Sequence, residues 1–241
     1  MPSFTRQITA AEAVQSVMTT IGLVAPSTIA GGNDRTALQM FALASDVGQK
    51  LVPKAEWQFL VADMTLVTTI GVRTYPVPAD FDEFIPDSQW NRTTRLPAIG
   101  SLSQDEWQML KARQLTGTTF TMLFRYVDDV IELYDTPTSV QTLVLPYQSR
   151  GWCKSAANVP QDNLRLDSDI ILFDPQLFKA ALKLAWYQSK EFDTSSVQQD
   201  YDMCLMAAKA KSNVGRTLSL SQTAEYPYLG MINISDTGYG S

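Results

Sequence analysis

The sequence predicts an α+β protein, because helical and strand-type patterns occupy separate parts of the 241-residue chain. Apolar residues recur at helical spacing near both ends, whereas alternating, β-branched sequence fills the middle. We therefore expect a helical bundle built from N- and C-terminal helices, with a β-rich lobe between them and an extended C-terminal tail. The predicted segments are 1–54 for the first helices of the bundle, 55–152 for the lobe, 153–220 for the C-terminal helical hairpin and 221–241 for the tail.

Two N-terminal helices are predicted from their caps and apolar stripes. Thr9 and Glu12 have the spacing of a capping box, and Gly22 is a suitable stop for the helix that they open. A second helix is expected from about Asp34 to Leu51, with one apolar face.

The middle of the chain predicts strands and one short helix. A second capping box, Ser103 with Glu106, opens the helix. The paired aspartates Asp128 and Asp129 predict the turn of a hairpin. Extended sequence is expected over 57–67, 73–77, 120–127, 130–134 and 140–148.

The C-terminal part predicts an αα-hairpin whose two apolar stripes bury each other. A short strand-like run, 170–173, leads to Asp174 as N-cap and Pro175 at the first helical position. A break at 191–195 separates this helix from a second one. The expected inner face of the second helix consists of Val197, Tyr201, Cys204, Leu205 and Ala208.

Composition excludes several classes of protein. The net charge is −6 and the 19 basic residues are scattered, so a primary nucleic-acid binder is not expected, although an acidic wall would let DNA slide past. No apolar run approaches the roughly 20 residues of a membrane span, and the start lacks the pattern of a signal peptide. Cys153 and Cys204 predict no disulfide framework, and hence synthesis in a cytoplasm.

Histidine is absent, which removes Ser-His-Asp and Cys-His catalysis and any histidine-containing zinc site. No Gly-rich phosphate loop occurs. We predict no enzyme activity, no catalytic residue, no metal and no cofactor. Asp80, Asp82 and Glu83 form an acidic cluster that could supply a carboxylate pair or bind calcium, but a solvated turn is the favoured interpretation.

Other conspicuous residues are predicted to have structural roles. Asp167 and Asp169 are expected to shape a loop before a strand. Trp152 is interpreted as core, with an interface anchor as the alternative. The remaining tryptophans expected to fill cores are Trp57, Trp90, Trp107 and Trp186.

A series of motifs along the chain gives a resemblance to a known family. The series comprises RTYPVPADFD at 73–82, IELYDTP at 131–137 and DIILFDPQLFKAALKLAWYQ at 169–188, in that order. Together they resemble the head-to-tail adaptor proteins of short-tailed bacteriophages, also called tail tubular protein A or gatekeeper-type connectors. The resemblance implies a structural virion protein, made in the host cytoplasm, that forms a ring, usually of twelve copies. It also implies portal and tail nozzle proteins as partners, with genomic DNA passing through the channel during ejection without specific binding, and no membrane partner.

The C-terminal tail carries more apolar and aromatic residues than a free acidic tail needs. We expect it to dock on its own domain or on a neighbouring subunit. The residues predicted to form this partner interface are Tyr226, Tyr228, Leu229, Met231, Ile232, Ile234 and Tyr239.

Two other functions stay open from the sequence alone. One is a peptidoglycan-degrading tail enzyme that uses a carboxylate pair, since a glycosidase needs two such groups. The other is a non-viral scaffold module with the same segregated order of helices and strands.

Overall fold

The chain folds into helices and short antiparallel strands that follow the predicted order. A computed structural model describes residues 7–113 and 121–212. The helices are α1 Ala10–Thr20, α2 Arg35–Leu51, α3 Gln104–Arg113, α4 Pro175–Ser189 and α5 Ser195–Ser212, with 3₁₀ turns at Val52–Lys54 and Gln58–Leu60. The strands are β1 Ile8–Thr9, β2 Val61–Val67, β3 Thr74–Pro76, β4 Phe81–Phe84, β5 Trp90–Asn91, β6 Leu96–Pro97, β7 Phe124–Val127, β8 Val130–Leu133, β9 Thr142–Ser149, β10 Cys153–Lys154, β11 Pro160–Gln161 and β12 Ile170–Ile171.

The caps read from the sequence set the helix starts. The Thr9 hydroxyl accepts the Glu12 N–H at 3.2 Å, and the Glu12 carboxylate accepts the Thr9 N–H at 3.1 Å, which confirms the capping box of α1. Gly22 follows the end of α1 with a φ of +79°, a conformation that glycine adopts without strain. The Ser103 and Glu106 groups form the same reciprocal pair before α3.

The αα-hairpin of α4 and α5 is also confirmed. Asp174 accepts the Gln176 N–H at 2.9 Å and also binds the Lys211 ammonium at 3.1 Å, so one carboxylate joins the start of α4 to the end of α5. Burial raises the pKa of Asp174, but the hydrogen bonds from Lys211 and Gln176 outweigh that effect and lower it overall.

Helices α1, α2 and α4 pack on one another and α5 packs on α4, so the predicted helical bundle is confirmed. The small sheet β1–β12–β10–β11 adjoins it, and its strand β10 contributes Cys153 to the same core. Residues from either end of the β-rich segment enter this core as well, namely Trp57, Leu60 and Trp152.

The β-rich lobe contains two further sheets and a second core. One sheet has the order β2–β9–β5–β6, with β4 also paired to β9, and the other has the order β3–β8–β7. Their inner faces bury a separate set of apolar side chains: Leu66, Tyr75, Ala98, Phe124, Ile131, Leu133, Leu143 and Leu145. The mixed α+β class predicted from the sequence is therefore confirmed.

The two cores are joined by hydrogen bonds at the start and end of the lobe. The buried Gln148 amide of β9 donates to the Val52 carbonyl at 3.0 Å, next to the end of α2. The Ser212 hydroxyl, at the end of α5, donates to the Glu56 carbonyl at 3.2 Å and accepts the Gln58 N–H at 3.1 Å. These contacts attach both ends of the lobe to the bundle.

Three local details differ from the sequence prediction. Residues 58–60 form a 3₁₀ turn instead of extended chain, because Trp57 turns inward and donates its indole N–H to the Leu51 carbonyl at 2.8 Å. The strands β4 and β5 lie outside the segments expected to be extended, because their mixed acidic and aromatic residues do not alternate cleanly. The first hairpin strand begins at Phe124, and Phe120 lies outside the described residues.

Candidate interaction surfaces

Asp80, the first residue of the acidic cluster, has a structural role. The Asp80 carboxylate accepts hydrogen bonds from the Tyr147 hydroxyl at 3.1 Å and the Ser149 hydroxyl at 2.7 Å. Burial, the nearby charge of Asp80 and their hydrogen bond together raise the pKa of Tyr147 to about 12. Asp80 therefore fixes the segment before β4 against the end of β9.

Asp82 and Glu83 do not form a common site with Asp80. Asp82 is half-buried beside Arg150 and Trp152, whereas Glu83 is exposed. Among residues 7–113 and 121–212, no group of three or more acidic, cysteine or histidine side chains is arranged to hold a metal ion.

The other aspartates have the structural roles that the sequence predicted. Asp128 and Asp129 both have positive φ, 52° and 58°, and form the two-residue turn between β7 and β8. Asp167 accepts the N–H groups of residues 29 and 30 at 2.9 and 2.8 Å, and so pins the loop before α2. Asp169 is fully buried and accepts the Arg165 and Leu166 N–H groups.

Most of the tryptophans fill cores, as predicted. Trp152 is fully buried, stacks on Phe178 with ring centroids 5.9 Å apart and donates to the Asp162 carbonyl, so it is not an interface anchor. Trp107 is buried beneath Arg125, whose guanidinium lies 4.5 Å from the ring centroid. Trp57 and Trp186 belong to the bundle core. Trp90 is half-buried in β5, where it pairs with Val144 of β9.

One exposed apolar surface lies at the end of the lobe, and we name it the lobe tip: Val67, Ile70, Val72 and Val140. Ile70 is 62% exposed and Val140 is 57% exposed. The backbone beneath them is firmly held, since the Thr68 hydroxyl accepts the Gln141 N–H at 2.8 Å and the Tyr75 hydroxyl donates to the Val72 carbonyl at 2.8 Å. A rigid, exposed apolar tip is typical of a contact surface.

A second exposed apolar surface lies on the outer side of α5. Met203 is 63% exposed and Met206 is 72% exposed, one helical turn apart. The opposite side of the helix carries the predicted inner face, of which Val197 and Ala208 are buried. Large exposed methionines on a helix that is packed on one side only are suited to contact with another protein.

Neither surface was predicted from the sequence. Ile70 and Val72 lie between the predicted strands 57–67 and 73–77, and Met203 and Met206 lie outside the predicted apolar stripe of α5. Large apolar residues in a turn or outside the apolar stripe of a helix can indicate a contact surface, because such side chains cannot enter the core of their own chain. The tail residues predicted as the interface, Tyr226, Tyr228, Leu229, Met231, Ile232, Ile234 and Tyr239, lie outside the described residues.

Across the described helices, none combines the length and the hydropathy that a bilayer-spanning segment requires.

Comparison with known proteins identifies the family. No curated protein matches the chain. A family model described as SU10 adaptor protein matches residues 8–226, which is well over half of the chain and includes both cores. This family consists of phage head-to-tail adaptors, which are structural virion components and not enzymes. The resemblance seen in the sequence motifs is thereby confirmed, and the chain belongs to the SU10 adaptor protein family.

Proposed function

We propose that this protein forms a ring, of twelve copies, that joins the portal to the tail nozzle of a phage particle and surrounds the path of the genomic DNA. Membership of the adaptor family carries the proposal, because an adaptor has a portal on one side and a tail on the other. Its place is then the head-to-tail interface of the virion.

The arrangement of exposed apolar residues supports a protein with several partners. The lobe tip and the outer side of α5 belong to different parts of the fold, one supported by the lobe core and one by the bundle. Neither is needed to complete a core, so both are free for contacts with other chains. We assign the bundle to the portal side and the lobe tip to the tail nozzle.

The charge of the chain is consistent with DNA passage. A net charge of −6 per copy repels phosphate backbones at long range, so the wall of the ring would guide DNA without retaining it. The protein needs no cofactor for this role.

The C-terminal tail would secure the ring to the portal or to a neighbouring copy. A segment that becomes ordered on its partner buries its apolar side chains only when that partner is present. The tail interface comprises Tyr226, Tyr228, Leu229, Met231, Ile232, Ile234 and Tyr239.

Light scattering of the full chain, alone and mixed with the portal ring of its own phage, tests the proposal first. A defined ring on the portal is the expected result, and electron microscopy of that complex would count the copies. A chain that never associates with the portal would refute the adaptor role proposed here.

Two variants then separate the surfaces. Deletion from Ser221 onward should leave the folded protein intact but weaken portal binding, and unchanged binding would refute the role of the tail. Ile70→Asp in the lobe tip should weaken binding to the nozzle protein and leave portal binding intact. Val24→Asp is the matched control, because Val24 is 85% exposed, more than any other large apolar residue among those the structure describes, and lies outside the lobe.

A further inference from the structure

Beside α4 lies an open groove that is lined by apolar side chains. It has a volume of about 670 Å³ and runs between α2 and α5. Its floor is α4, where Ala181 and Ala185 leave room for another chain to approach closely. Leu184 of α4 also lines the floor, and the apolar residues along the walls are Leu43, Val47, Leu51, Pro53 and Tyr201.

The outer side of α5 presents a convex surface of matching chemistry. Met203 and Met206, with the exposed Ala210, lie on the side of α5 turned away from the bundle core, and we name these three residues the α5 ridge. Methionine side chains adapt to irregular apolar surfaces, and the ridge is one helix wide. The groove and the ridge are different surfaces of the same chain, which is the requirement for head-to-tail contacts that close into a ring.

The charges beside the groove and beside the ridge occur in the same order along the chain, acidic residues first and basic residues after them. Along α2 and the turn after it, the groove edge carries Asp46, then Lys50, then Lys54. Along α5, the acidic Asp200 and Asp202 flank the start of the ridge, and Lys209 flanks its end. An antiparallel approach would therefore bring acid to base at both ends.

The spacing of these charges also agrees. From Asp46 to the end of α2 at Leu51 the rise is about 1.5 Å per residue, and over the 3₁₀ turn Val52–Lys54 it is about 2.0 Å, so Asp46 and Lys54 lie about 14 Å apart along the axis. The nine residues from Asp200 to Lys209 span about 14 Å at the α-helical rise. Ion pairs can therefore form at both ends of the contact at the same time.

We propose that the α5 ridge of one copy docks antiparallel into the α2–α4–α5 groove of the next copy, with Asp200 and Asp202 facing Lys50 and Lys54. This contact rests on the proposed ring and assigns the surfaces that build it. It uses each copy twice, once as ridge and once as groove, and so repeats around the ring.

Disulfide trapping in the full chain tests the contact. Met206→Cys and Ala185→Cys are combined in a Cys204→Ser background, assembled as the unsubstituted chain assembles, and oxidised. The expected result is a ladder of cross-linked oligomers up to the size of the ring. The matched control pairs Ala185→Cys with Met109→Cys, an exposed methionine on α3 in the lobe, and should give no ladder.

Other outcomes overturn the proposal in distinguishable ways. If the unsubstituted chain forms no ring alone or on the portal, the proposed function fails and this contact fails with it. A ring without the ladder overturns the contact alone, and a product that stops at dimers indicates a symmetric pair instead. A cross-link within one chain, between Ala185→Cys and Tyr228→Cys, would place the chain's own tail in the groove and also overturn the contact.

Charge reversal gives a second test that does not depend on cysteine chemistry. Asp200→Lys with Asp202→Lys should abolish ring formation at a concentration where the unsubstituted chain assembles. Adding Lys50→Glu and Lys54→Glu to the same chain should restore it. Failure of the combined variant to assemble, with its fold intact by circular dichroism, would overturn the proposed pairing.

Discussion

Gly48 of α2 allows the bundle to close around Trp152, and Gly48→Ala should therefore destabilise the protein. A Cβ atom at position 48 would lie 2.2 Å from the six-membered ring of the Trp152 indole. That ring cannot move away easily, because Trp152 is fully buried and its N–H donates to the Asp162 carbonyl at 2.7 Å. The substitution thus inserts an atom into a core that is already filled.

Two effects of opposite sign determine how much Gly48→Ala changes the free energy of unfolding. Replacing glycine by alanine inside a helix is favourable by about 1 kcal/mol. Overpacking a filled core typically costs about 1–3 kcal/mol, and a contact as short as this one belongs at the upper end of that range. We expect a net loss of about 2 kcal/mol in the free energy of unfolding.

Urea unfolding with linear extrapolation measures this change. The matched control is Ala42→Gly, at an exposed position of the same helix, which changes the backbone term alone and should cost about 1 kcal/mol. In a Trp152→Phe background the penalty of Gly48→Ala should shrink, because the overlapping ring atoms are gone. A Gly48→Ala protein that is more stable than the unsubstituted chain would show that the close packing of α2 on Trp152 is incorrect.

Three other predictions concern polar and titratable groups. Asp80→Ala should lower the free energy of unfolding by about 1–3 kcal/mol because it leaves two buried hydroxyl partners unsatisfied, whereas Glu83→Gln, at an exposed position, should change it by less than about 0.5 kcal/mol in the same urea assay. Burial, with the charges of two nearby aspartates, raises the pKa of the Cys153 thiol to about 12. Ellman's reagent at pH 8 should therefore label the half-buried Cys204 well before the buried Cys153, and equal labelling rates for the two thiols would contradict this. The raised pKa of Tyr147 means that the folded state favours the neutral phenol. Its contribution to the free energy of unfolding should therefore be complete below about pH 10 and be lost as the pH rises to about 12. Tyr147→Phe should reduce this loss of stability at high pH, and identical pH profiles for the two proteins would refute the assignment.

Local signals in the sequence were sufficient to predict the helices and their starts. Thr9 with Glu12, and Asp174 with Pro175, act within one helical turn, so tertiary packing does not override them. The strands of 80–97 were harder to identify, because β4, β5 and β6 are two to four residues long, and β4 and β5 pair with β9, which is distant in sequence. No local periodicity can develop over so short a span.

The functional prediction depended on the order of motifs along the chain and not on local periodicity. Motif order along the chain was enough to indicate the adaptor family, which the family comparison confirms. The division into segments and the tail interface remain predictions. The lobe tip and the groove could not be found from periodicity, because each is formed by residues from separate elements that only the folded chain brings together.

The division of α5 into a packed inner face and an exposed outer side makes assembly separable from folding in this protein. On its inner face Val197 and Ala208 are buried, and Tyr201, Cys204 and Leu205 pack against the bundle core. Met203 and Met206, on the outer side, belong to neither core. Substitutions on the outer side of α5 should therefore leave the unfolding free energy within about 0.5 kcal/mol of the unsubstituted value, as for other exposed positions. Large apolar side chains on the side of a helix that faces away from its own core are best explained by a contact with a second chain. The charge-reversal variants on α5 therefore isolate the assembly step, because a loss of rings cannot then be attributed to a loss of structure.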